Sequence, residues 1–413
     1  MNSLKKLLVA LTFIAFVSAC TEDQIAPTTF EDEVELDAFL NTDEILIQED
    51  AIVQAIGMEE DTKGNDISKS NRRRRSGLYT MSNEASGNQV IHFEIIDGGT
   101  ISEVARFDTY GTGNDASLGN QGALALSRGG RLLFVVNPGS DDFSAFFVRR
   151  NGRLVFLDKV HSGGTRPVSV TYRAGLIYVV NAGSDNIAGF AFNRRGKLRQ
   201  LRNSSRALSA TGTAPAQISF SRNGRALIVT EKATNTISSF ALRRNGRPGN
   251  INTLASAGIT PFGFDLGNGR LFHVSEAAGG ADGASTVTTY RINNHGIVSV
   301  VDGPLATQGT AACWVVSAND NTDLFVTNTG GADISALTAD ASGNLSISNG
   351  GNRIATGNGP LDAARDSQSR YLYVLAGADN TIVSYRIGQN GQLTQIDLDG
   401  GLTDRASGLV VTR

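Results

Sequence analysis

Four histidines and two cysteines are all that 413 residues supply, and this scarcity removes several kinds of site at once. His92, His161, His273 and His295 are scattered along the chain, and no Cys or His pair stands at zinc-ligand spacing. The sequence also lacks a G-x-S-x-G nucleophile elbow and a glycine-rich phosphate loop ahead of a helix. The apolar run at residues 7–17 is well short of the roughly 20 residues that cross a hydrocarbon core as a helix. Beyond Cys20 the chain keeps only Cys313, so a mature protein forms no internal disulfide and must be held by packing. No motif implies a cofactor or a metal. The Gly139-Ser140-Asp141 and Gly183-Ser184-Asp185 runs are too short for a calcium loop and read as tight turns.

What the amino terminus does contain is ordered. Lys5 and Lys6 precede the apolar run, which ends at Ser18 and Ala19, the arrangement of a secretory signal over residues 1–19. VSAC at residues 17–20 resembles the lipobox of bacterial lipoproteins, which implies cleavage before Cys20 and attachment to a membrane through the acylated cysteine. Thr21-Glu22-Asp23 resembles the acidic stretch that directs Bacteroidota lipoproteins to the cell surface, so the expected location is the outer membrane or surface, facing periplasm or exterior. Residues 20–76 then form an acidic tether. Between residues 21 and 71 fifteen Asp or Glu face two Lys, a net charge of −13, and such a stretch cannot fold by itself. Arg72, Arg73, Arg74 and Arg75 close it, and from there to the end 33 basic side chains meet 25 acidic ones, a net of +8.

The remaining 77–413 is long for one domain unless it is a repeat, and a repeat is present. One unit recurs near every 50 residues: VVNPGSDDFSAF at 135–146, VVNAGSDNIAGF at 179–190, VTEKATNTISSF at 229–240, VTNTGGADISAL at 326–337 and VLAGADNTIVSY at 374–385. A longer-looped copy spans 274–290 and a divergent one 79–93, making seven. Each copy carries an x-Gly hairpin, such as Asn151-Gly152 or Asn245-Gly246, whose left-handed positions suit a tight turn. A further strand stands ahead, often opened by proline, at Pro167, Pro215, Pro261 and Pro360, where a missing N–H is tolerated. The fold class is therefore all-β: a seven-bladed β-propeller. The first copy has no innermost strand while residues 407–412 form a spare one, so the two chain ends are expected to close one blade together.

The VVN-x-G-x-DN units resemble the YVTN-type repeats of the lactonase family, which includes 6-phosphogluconolactonase and carboxymuconate cyclase. That resemblance implies a site at the channel end where the proline-led loops meet the ends of the second strands, Asn137, Asn181, Glu231, Glu276, Asn328 and Ala376. It assigns Glu231 as acid or base and Arg166 as substrate clamp, with Asn137, Asn181, Glu276 and Asn328 as binding residues. The residues after the prolines are Val168, Ala216, Phe262 and Leu361, with Cys313 and Trp314 in the matching strand, where the family commonly has histidine or arginine. Proton transfer and oxyanion stabilisation are both thinly provided. A neighbouring Lys232 also offers Glu231 a plain surface ion pair. The expected function is thus an exported, lipid-anchored, monomeric propeller that binds a small molecule, a glycan or an envelope protein. The alternative is a lactonase or cycloisomerase acting on an anionic sugar lactone or muconate. Convergent Glu231, Arg166 and Glu276 side chains would favour the enzyme, and an apolar plug of Val168, Phe262, Leu361 and Trp314 the binding protein. Finally, thirteen basic side chains fall in turns expected on the opposite face of the second to fourth units. Nucleic acid is not implied, because no aromatic platform accompanies them.

Overall fold

A computed structural model describes residues 76–193 and 196–412. The signal at 1–19, Cys20, Arg72 to Arg75 and all but the last residue of the 20–76 tether lie outside the described residues, as do Arg194 and Arg195. Within them the chain forms seven antiparallel sheets of four or five strands, arranged as the blades of a propeller. We number them by the position of their second strand along the chain, so that blade 1 contains Gly77–Met81 and blade 7 contains Tyr371–Ala376.

Strand composition sets radial position. Second strands such as Leu132–Asn137 (LLFVVN) and Leu176–Asn181 (LIYVVN) are buried along their whole length between neighbouring blades, as β-branched and aromatic residues on both faces require. Outer strands such as Ile101–Asp108 alternate, and every second residue meets solvent. Blades interlock through the hairpins that carry the glycines. The Tyr79 hydroxyl of blade 1 donates to the Gly152 carbonyl of blade 2 (2.8 Å), and Tyr178 of blade 3 donates to Gly246 of blade 4 (2.6 Å).

Blade 1 closes as the sequence indicates. Ser407–Val411 is its innermost strand and pairs antiparallel with Gly77–Met81, Leu78 opposite Val411. Beyond it, Gly77 N–H donates to Thr412 Oγ1 (2.7 Å) and Thr412 N–H donates to the Gly77 carbonyl (2.8 Å).

The innermost strands are tied by side chains that accept backbone N–H groups from the next blade. Ser169 Oγ receives Ile218 N–H (3.2 Å), Gln217 Oε1 receives Phe264 N–H (2.6 Å), and Asp265 Oδ2 receives Ser317 N–H (2.8 Å). Burial pushes the Asp265 carboxyl above its usual range, and Asp362, also buried, well above it. Each proline does open an innermost strand, and directly behind it the ladder slips. The shift falls between Pro167 and Ser169, Pro215 and Gln217, and Pro360 and Asp362, and between Ala312 and Trp314 in blade 6. Such a bulge re-aims the extra residue. The extra residues are Val168, Ala216, Leu361 and Cys313.

Candidate functional site

We call upper the end of the ring where the innermost strands begin and the second strands finish. Five of the residues assigned there by resemblance are fully buried inside their own blades, where they act as clamps. Asn137 donates to Asp142 Oδ1 (2.7 Å) and Ser144 Oγ (2.9 Å), and Asn328 repeats this with Asp333 Oδ1 (2.7 Å) and Ser335 Oγ (2.8 Å). Asn181 donates to the Ser162 carbonyl (3.3 Å). The two glutamates reverse the polarity. Glu276 accepts from Thr286 Oγ1 (2.5 Å), Thr288 Oγ1 (2.9 Å), Tyr290 Oη (3.1 Å), Ser256 Oγ (3.2 Å) and Gly258 N–H (3.0 Å). Burial first, and the Glu276 charge after it, push the Tyr290 phenol up to about 12, so it remains a donor. Glu231 accepts from Ser238 Oγ (2.5 Å), Thr234 Oγ1 (2.9 Å), Ser209 N–H (3.2 Å) and the Ser209 hydroxyl. Where an Asp five residues downstream becomes Thr236, the Asn at the strand end becomes Glu231, an acceptor facing donors.

Glu231, Glu276 and Arg166 do not converge. Arg166 is exposed, holds a left-handed backbone (φ 51°) and uses its N–H on Asp141 Oδ1 (2.6 Å). What occupies the centre is apolar: Ala216, Phe262, Ala277, Cys313 and Trp314 pack together with Leu361, the Phe262 and Trp314 rings 5.2 Å apart. Burial lifts the Cys313 thiol to about 11, which leaves it protonated and inert. His161, the histidine nearest this face, accepts Gly163 N–H at Nδ1 (3.1 Å) and stays in its own loop.

Two features were missed by sequence reasoning. One is a plug formed by the connection between blades 1 and 2. Asn120 donates to the Val168 carbonyl, Gln121 N–H to Ala216 (3.0 Å) and Gln121 Nε2 to Val315 (3.3 Å), while Ser407 Oγ donates to Asn120 Oδ1 (3.3 Å). Two residues of the connection, Asn120 and Gln121, thus tie blades 1, 3, 4 and 6 together across the top of the channel. Lys232, instead of making a surface ion pair with Glu231, turns inward, donates to the Gly119 carbonyl and lies 4.6 Å from the Phe262 ring centroid. Burial is the main cause that brings its ammonium down to about 8; Cys313 opposes the shift and Arg166 adds to it.

The other is a cavity of about 490 Å³ beside the plug, bounded by blades 6 and 7 and the loop that leads into the closing strand. Its wall includes Trp314, Leu361, Asn380, Asp404 and Arg405. Asn380 Nδ2 donates to Asp404 Oδ1 (2.7 Å), and the Trp314 indole N–H, though buried, has no partner among the described residues. None of the six residues assigned by resemblance lines this cavity. An aromatic face, a guanidinium and a carboxylate fixed by an amide can hold a small polar ligand with a negative group. Among the described residues no three His, Cys, Asp or Glu gather as a metal-binding set.

Residues 74–211 match the family model described as Lactonase, 7-bladed beta-propeller. No curated protein sequence matches the chain. Among solved structures, a candidate 6-phosphogluconolactonase from Bacteroides fragilis aligns with a TM-score of 0.66 at 18% identity, covering 84% of this chain and 100% of that one. A Lactobacillus plantarum protein aligns at 0.67 and 15% identity, over 82% and 99%. The periplasmic gluconolactonase of Pseudomonas aeruginosa aligns at 0.62 and 17%, again over 82% and 99%. At such identities the likeness is one of fold. Residues 74–211 thus carry lactonase-family sequence, and over all seven blades the chain has the architecture of a seven-bladed β-propeller.

Proposed function

We propose that this is an exported, lipid-anchored propeller of the cell envelope that binds a small anionic, sugar-acid-like ligand in the cavity beside the plug. The observation that carries the reading is the joining of the Trp314 ring, the Arg405 guanidinium and the Asn380–Asp404 pair in one wall. Arg405 meets the ligand's negative group, Trp314 stacks on its carbon skeleton, and Asp404 accepts from hydroxyls. Trp314 is the chain's single tryptophan, so its emission reports on the cavity directly. Titration with gluconate or 6-phosphogluconate is expected to shift that emission, glucose to do so more weakly, and Arg405→Ala to remove the response to the acids. An unchanged emission with no heat of binding in calorimetry would sink the assignment.

Hydrolysis of a sugar lactone is the second reading, favoured by the family match and by a carboxylate and a guanidinium in one cavity. Asp404 is the one acid among the described residues that line it, and a lone proton-transfer group is worth about 10² to 10⁴ in rate. Turnover of gluconolactone or 6-phosphogluconolactone is expected to be slow or absent. Efficient turnover, lost in Asp404→Asn with unchanged melting, would make the enzyme the better account. The anchor rests on VSAC at 17–20 and is checked by intact mass: the mature protein is expected to carry acyl groups on Cys20, and a mass without them would remove the membrane from the proposal.

A further inference from the structure

The lower end of the ring gathers the turns from first to second strands and from third to fourth strands. In blades 2 to 4 these are residues 127–131, 149–153, 173–175, 193–197, 221–225 and 243–247, and they contain arginine or lysine in every turn and no Asp or Glu. Arg128, Arg149, Arg150, Arg225, Arg243 and Arg244 are exposed. Carboxylates do reach the margin: Asp158 pairs with Lys197 at 3.2 Å. Positive charge is nonetheless crowded, for Arg173 is held below the usual guanidinium range, by burial first and by Arg128 second.

The acidic part of the chain joins the body on this same face. Gly77 begins the second strand of blade 1, which runs from the lower to the upper end. A Cβ placed on Gly77 would stand 2.8 Å from the Tyr79 hydroxyl, and that hydroxyl is bonded to Gly152 within the Arg149–Arg153 turn. Residues 21–71, with their net charge of −13, are thus tethered beside the basic turn of blade 2, with only residues 72–76 between. Random-coil statistics give 51 residues a mean span of about 40 Å. Sheets stack about 10 Å apart, so three successive blades are within reach. Tethering also gives the segment an effective concentration on the order of millimolar at the face it borders.

We propose that residues 21–71 dock on the basic turns of blades 2 to 4, as an internal polyanion that covers this face until salt or a stronger external polyanion displaces it. The contact is electrostatic and fluid, with no single fixed pairing. It needs neither the anchor nor the upper cavity.

The test uses the chain from Thr21 onward, which keeps every described residue. Small-angle scattering is expected to give a smaller radius of gyration at about 20 mM than at about 500 mM NaCl, where the Debye length falls below about 5 Å. Charge reversal in two turns (Arg149→Glu, Arg150→Glu, Arg243→Glu, Arg244→Glu) is expected to leave the chain expanded at both. Inorganic polyphosphate serves as competitor. Neutralising Glu31, Asp32, Glu33, Glu35 and Asp37 to their amides is expected to tighten its binding by about tenfold, because the internal competitor is weakened. The proposal is overturned if the radius does not respond to salt, or if the amide variant binds polyphosphate within twofold of the parent. Should the charge-reversed protein fail to fold, Arg243→Gln with Arg244→Gln replaces it, and a radius that still contracts at low salt as the parent's does counts against the proposal.

Discussion

The two ends of the propeller treat charge in opposite ways. At the upper end Glu231 and Glu276 are buried and saturated with hydroxyl and backbone donors, and Lys232 is drawn inward onto the plug. At the lower end arginines of three blades stand in solvent above two buried neutral histidines, His92 and His273. The buried charges above are thus held inside the blades, while most of the charge below lies at the surface. The cause is local: the loops and strands around Glu231 and Glu276 supply Ser and Thr hydroxyls that donate inward, whereas the lower turns of blades 2 to 4 hold basic residues with no Asp or Glu in the same turn.

The largest expected effect comes from removing residues 405–413, which takes the innermost strand from blade 1 and one wall from the cavity. The truncated chain should lose cooperative melting and aggregate through the exposed edge; a melt like the parent's would mean that closure contributes little. Next comes Glu276→Gln, which turns an amide donor toward hydroxyls and a Gly258 N–H that cannot reverse. A loss of about 2 to 4 kcal/mol in denaturant midpoint is expected, with somewhat less for Glu231→Gln. A loss below 0.5 kcal/mol, the ordinary range for surface changes, would return these glutamates to the list of functional residues.

A third effect is pH dependence at the lower end. His92 and His273 are both brought down to about 4 by burial, against 6.5 when unfolded. Between those values the unfolded chain binds protons that the folded one refuses, so stability is full above pH 6.5 and falls as pH drops toward 4. The slope is at most about 1.4 kcal/mol per pH unit for each histidine. Asp265 and Asp362 work the other way, since carboxyls raised by folding gain stability as pH falls. The measurement is therefore the difference in slope between parent and His273→Gln, which should be shallower; identical slopes would mean that His273 is not the source. The smallest effect is expected from Arg150→Gln or Arg244→Gln, within about 0.5 kcal/mol. A larger loss would show that the lower rim is structural after all.

The sequence revealed the fold well because its repeat is built from neighbouring residues: second strand, tight turn and third strand lie within a dozen positions of each other. Ring closure was legible for the same reason, as an unmatched strand at 407–412. The cavity was not, since Trp314, Asn380 and Arg405 come from blade 6, blade 7 and the closing loop, and no local pattern joins them. One signal for the plug was present. The connection between Asp108 and Leu124 has 15 residues where that between His161 and Pro167 has five, and the surplus is what folds across the channel. Glu231 was legible as a carboxylate at a strand end, but its surroundings were not, since the Ser209, Thr234 and Ser238 hydroxyls that donate to it come from the preceding blade's loop, the following turn and the third strand.

A last consequence follows from blade 1 being made of both chain ends. Six blades are complete in sequence order, but the first receives its innermost strand from residues 407–411, at the far end of the ring from Gly77–Met81 in chain order. A nascent chain therefore carries an unfilled slot beside Gly77–Met81 until residues 407–411 have been made. Ring closure thus waits for a strand made after all six other blades, and a chain that stops before residue 407 is an open, adhesive arc instead of a slightly shortened propeller.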